Sequence, residues 1–94
     1  MGKLLILAKY VFLIYGTDLY ERRKHVHVTY NNRGFKKACK FWLEPDIEID
    51  KNKTGDFSSK ELLTIQKLID ENRDLLLDQL ELFYSNQPLK AIRK

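Results

Sequence analysis

The chain has 94 residues, of which 44% are apolar, 12% aromatic and 32% charged, with a formal net charge of +4. That allows one small globular domain and excludes wholesale disorder. A single cysteine, Cys39, excludes an internal disulfide framework, and no run approaches the roughly 18 apolar residues that span a bilayer.

In chain order, residues 1–10 open like a secretion signal, but Lys9 breaks the apolar run and no small-x-small cleavage site follows. The expected location is the cytoplasm, where a lone thiol stays reduced. Residues 4–7 and 10–15 read as strands. The Ala8-Lys9 link is too short for a crossover, so a tight antiparallel hairpin is predicted. On the second strand Val11, Leu13 and Tyr15 share one face, and Tyr10, Phe12 and Ile14 share the other. Gly16-Thr17-Asp18 reads as a turn.

Residues 25–30 then alternate strictly. Val26, Val28 and Tyr30 face one way; His25, His27 and Thr29 face the other. Asn31-Asn32-Arg33-Gly34 has the residues of a hairpin turn. Residues 38–44 alternate again, with Cys39, Phe41 and Leu43 toward the core and Lys40, Trp42 and Glu44 opposite. Cys39 reads as a small core residue rather than a nucleophile. Pro45 is expected to end the strand's hydrogen bonding or make a bulge, and residues 46–50 are a candidate short charged edge strand.

Ser58-Ser59-Lys60-Glu61 is a capping box, with Phe57 and Leu62 placed as a hydrophobic staple. Leu62, Ile65, Ile69, Leu76, Leu80 and Phe83 fall on one helical stripe. One helix over about residues 58–84 is predicted, with a kink considered near Asn72. The expected fold is α+β: a three- to four-stranded antiparallel meander over about residues 3–50, then one long amphipathic helix on one sheet face. Residues 1–85 make the domain and 86–94 a basic tail outside it. The other sheet face is expected to be open or to meet a partner.

Charge is unevenly spread. Residues 1–43 carry net +7, residues 44–85 net −6, and residues 86–94 net +3. Such a dipole steers an anionic partner to one side.

Three of these segments carry a resemblance. Lys24-His25-Val26-His27-Val28, then residues 38–45 with Phe41-Trp42-Leu43-Glu44-Pro45, then Phe57-Ser58-Ser59-Lys60-Glu61-Leu62 opening a helix, resemble a bacterial family of small proteins catalogued as domain of unknown function DUF4160. The resemblance covers about residues 4–84, and Lys24 stands where the family pattern has proline. It implies a setting beside small partner genes, in toxin–antitoxin-like pairs. It brings no catalytic residues with it.

The residues themselves leave several readings. His25, His27, Lys40, Trp42 and Glu44 form a candidate binding face, rimmed by Arg22, Arg23, Lys24, Arg33, Lys36 and Lys37. Bases stack on aromatic rings while cations hold phosphates, so this face suits RNA, or else a partner protein. With His25, His27 and Glu44 as two imidazoles and a carboxylate, the same face offers the alternative of a divalent metal and a hydrolase or nuclease. A metal-free ribonuclease is awkward, because two histidines on one strand do not flank a scissile phosphate. Leu68, Leu75 and Leu82 recur every seven residues and form a candidate seam for a partner protein or for a homodimer through the helix. The expectation leans to a cytoplasmic binding module rather than an enzyme, with no cofactor other than the divalent metal of the hydrolase alternative.

Overall fold

Two residues reverse the chain between the first strands. In the computed structural model, which describes residues 2–16, 23–30 and 37–94, β1 (Gly2–Leu7) and β2 (Tyr10–Ile14) pair antiparallel around Ala8-Lys9, with Leu7 opposite Tyr10. Ala8 sits at φ 53, the positive value that such a turn asks of its first central residue. The register shifts between Lys3 and Leu5, so consecutive Leu4 and Leu5 both join the main core.

β3 (His25–Tyr30) pairs antiparallel with β2, and β4 (Cys39–Trp42) with β3. β5 (Glu48–Ile49) adds a two-residue edge beside β4. Gly55, at φ 61, packs so closely under this region that an added Cβ would lie 2.1 Å from the Lys37 carbonyl oxygen. The strand alternation holds: Phe12, Ile14, Val26, Val28, Cys39, Phe41 and Leu43 all enter one core with Phe57, Ile65, Ile69, Leu76 and Leu80.

The helical segment starts as its cap dictates. Ser58 Oγ accepts from the Glu61 N–H at 3.2 Å, and Glu61 Oε1 accepts from the Ser58 N–H at 3.3 Å. Phe57 is buried and Leu62 packs on the same core, which completes the staple. The single long helix is corrected to two, α1 (Ser59–Glu71) and α2 (Arg73–Tyr84). Asn72 breaks them apart at φ −117, ψ 18, and its side-chain Nδ2 donates to Leu68 O at 2.8 Å. A short amide side chain that satisfies a helix carbonyl competes with the backbone ladder, which is why the break falls here.

The sheet is also larger than the meander. Ile92–Arg93 forms β6, parallel to β1, giving six strands in the order β5-β4-β3-β2-β1-β6. The segment read as an outlying basic tail thus contributes to the sheet. No helix among the described residues is long and apolar enough to cross a membrane.

Candidate functional site

The register of three strands builds the candidate face. His25 lies opposite Trp42, His27 opposite Lys40, and Leu13 opposite His27. Directly paired residues project to the same side, so His25, His27, Lys40 and Trp42 gather on the face away from the helices. Tyr15, two residues beyond Leu13, extends the row, whereas Tyr10 belongs to the helix-side core. The rings form a continuous ladder. Tyr15 and His27 centroids are 4.5 Å apart, His27 and His25 5.2 Å, and His25 and Trp42 5.5 Å. Two cations lie over the indole: Arg23 Cζ at 4.4 Å and Lys40 Nζ at 4.2 Å from its centroid.

The expectation of an open face is corrected. His25 is fully buried, and His27 and Lys40 are only 9% and 4% exposed. Ile6, Val11 and Leu13 on the same side form a second buried cluster with Ala91. Alternation assigns a side chain to a face; it does not say whether water reaches that face. His25 Nδ1 lies 3.0 Å from the Arg23 carbonyl oxygen. A carbonyl only accepts, so in the neutral ring Nδ1 carries the proton. His25 therefore braces the backbone at Arg23, and the ladder supports Trp42 from beneath.

What reaches the surface is the margin of this face. Trp42 and Glu44 are half-buried. The Arg23 and Lys24 side chains are 39% and 35% exposed, and each is matched by a carboxylate: Arg23 Nη2 to Glu48 Oε2 at 3.5 Å, Lys24 Nζ to Glu44 Oε1 at 4.0 Å. Arg23 Nε also donates to Glu44 O at 2.5 Å, and the Lys24 N–H to Glu44 Oε2 at 3.5 Å.

Glu44 is accordingly not brought to the histidines as a third ligand; it turns to Lys24. Among the described residues no group of three His, Cys, Asp or Glu is placed to hold a metal ion. Lys37, the third described member of the basic rim, donates its N–H to Asp56 Oδ2 at 2.7 Å and is exposed. Arg22, Arg33 and Lys36, and the turn at residues 31–34, lie outside the described residues. Cys39 is buried, and burial pushes its thiol from 9.0 up to about 12, so it is no nucleophile at neutral pH.

The proposed leucine seam is divided. Leu68 and Leu75 are half-buried against the main core, and only Leu82 is exposed, at 38%. Leu63, unmentioned by the heptad pattern, is the most exposed of the large apolar residues described, at 69%. It borders an open cleft of about 610 Å³ between residues 45–47 and α1, which also takes in Lys67, Asp70 and Arg73. Sequence reasoning also missed two buried amides, Asn72 and Gln79. Their signal was polarity at positions 72 and 79, which flank the apolar helical stripe.

No curated protein and no solved structure matches the chain. The sequence pattern of the domain of unknown function DUF4160 matches residues 10–81, which hold β2 to β5, α1, most of α2 and the whole ring ladder. The His-Val-His-Val strand, the Phe-Trp-Leu-Glu-Pro strand and the capped helix all lie inside that span, and the chain belongs to the DUF4160 family.

Proposed function

We propose that this chain is a small, non-enzymatic module that binds a partner protein through the exposed margin of the ring ladder, centred on Arg23 and Trp42. The observation that carries this reading is the Arg23 guanidinium stacked on a half-buried tryptophan, with Arg23 and Lys24, the described cations at that margin, each matched by a carboxylate. Tryptophan and arginine dominate protein–protein hot spots, because both bury large area at fixed geometry. Phosphates need cations free to meet them. Here a nucleic acid would first have to displace Glu44 and Glu48, which favours a protein over RNA.

Histidines 25 and 27 serve as scaffold in this reading, and no observation favours the metal-dependent alternative. The reading extends to a cytoplasmic role as one half of a toxin–antitoxin-like pair, the setting that the family resemblance suggests. The test is co-expression with the product of the neighbouring gene. A defined complex should form by light scattering, and Trp42→Ala should weaken it at least about 30-fold, the equivalent of about 2 kcal/mol. Binding to RNA that falls steeply with salt, with no protein complex, would replace this reading with the nucleic-acid one.

A further inference from the structure

At the opposite edge of the sheet, residues 86–94 are held in a groove built from polar groups. Gln79, only 6% exposed, donates from Nε2 to Leu4 O at 2.9 Å and to Lys90 O at 2.8 Å. The Lys94 N–H donates to Ile6 O at 2.9 Å, and Lys94 Nζ donates to Asn72 Oδ1 at 2.7 Å. Ala91 packs on Ile6, Val11 and Leu13, and Leu89 on the main core. A buried amide is costly unless its hydrogens are matched, so Gln79 makes this edge specific for an extended backbone parallel to β1.

The path into the groove turns on one residue. α2 closes with the Gln87 N–H donating to Leu82 O at 2.9 Å and the Asn86 N–H to Phe83 O at 3.2 Å. This closure places Asn86 in the left-handed region, at φ 55. Pro88 holds its own φ and biases Gln87 toward extended backbone. If Asn86 leaves the left-handed region, the segment points away from its own sheet.

We infer that the β1 edge is a strand-exchange site, in which residues 89–94 of a second copy of this chain take the groove. The arriving segment remakes the hydrogen bonds that residues 89–94 make in the groove, and only the two that close α2 are given up when Asn86 leaves the left-handed region. β6 pairs with β1 through only two residues, which makes local opening easy. The occupant is a second copy because the groove fits this sequence at three points: an apolar Leu89, a small Ala91 and a Lys94 ammonium on the Asn72 amide. The site lies on the β1 edge, whereas the Arg23–Trp42 patch lies beside β5, so the two stand or fall separately.

The experiment uses the full chain with Asn86→Val, which disfavours the left-handed region, and Asn86→Gly, which favours it. By light scattering across concentration, the valine variant should dimerise at least about tenfold more tightly than the glycine variant, as about 1–2 kcal/mol per released residue implies. Adding Gln79→Ala should return the valine variant to monomer. Equal association of the two variants overturns the inference, as does a dimer that survives Gln79→Ala. Should the valine variant fail to fold, Ile6→Cys with Arg93→Cys in the otherwise native chain decides, since these positions are paired across β1 and β6. Covalent dimers on oxidation at high concentration support exchange; crosslinks only within single chains overturn it.

Discussion

The two faces of this sheet are both largely closed to water, by different chemistry. The helix side is filled by Phe12, Phe41, Ile65, Ile69, Leu76 and Leu80, none of them exposed. The far side carries imidazoles, an indole and a lysine ammonium that stack on one another. The first face earns stability from apolar area, and any shape that fills it serves. The second face is specific in a way that area alone does not require, and it brings Tyr15, Trp42 and Arg23 to the surface. In the function proposed above, that contrast separates the part of the molecule that folds it from the part that meets a partner.

The contrast can be broken by substitution, beginning with the helix side. Phe12→Ala, in the fully buried core, should cost about 3–5 kcal/mol in urea unfolding. A loss under about 1 kcal/mol would show that the helix-side core is not the main source of stability. Gly55→Ala should cost about 2 kcal/mol or more, because its Cβ meets the Lys37 carbonyl and its φ of 61 disfavours a side chain. An unchanged melting temperature would show that this loop is free to shift. Ser58→Ala should cost about 1 kcal/mol through the lost cap, measured the same way.

On the far face, Arg23→Ala should cost only about 0.5–1 kcal/mol of stability, since the stacked guanidinium is partly exposed and its ion pair is screened. A larger loss would make Arg23 a folding residue rather than a binding one. Cys39 sharpens the comparison at high pH. Its folded thiol holds the proton up to about 12 while the unfolded thiol releases it near 9.0, so stability is lost as pH rises across that window. Cys39→Ala should remove this share of the slope, and the native thiol should resist alkylation at neutral pH.

Much of this was legible in the residues. The period of two placed Val26, Val28, Cys39, Phe41 and Leu43 on one side and His25, His27, Lys40 and Trp42 on the other, and the register agrees. The capping box marked the start of α1 because its two hydrogen bonds are local. What escaped was set by distant parts of the chain. β6 is two residues long and paired with a strand some 90 positions away, so no periodicity announces it. Asn72 and Gln79 look like polar interruptions until Lys94 and Lys90 arrive beside them. The burial of His25 and Lys40 is likewise tertiary, because alternation alone cannot distinguish a wet face from a covered one.

Trp42 is the only tryptophan, so its fluorescence reads the proposed recognition surface without any label. Acrylamide quenching of that signal, measured with and without the product of the neighbouring gene, tests the central claim. A partner seated on Arg23 and Trp42 should cut the quenching several-fold. Quenching that stays the same in a complex proven to form would place the partner elsewhere and contradict the account.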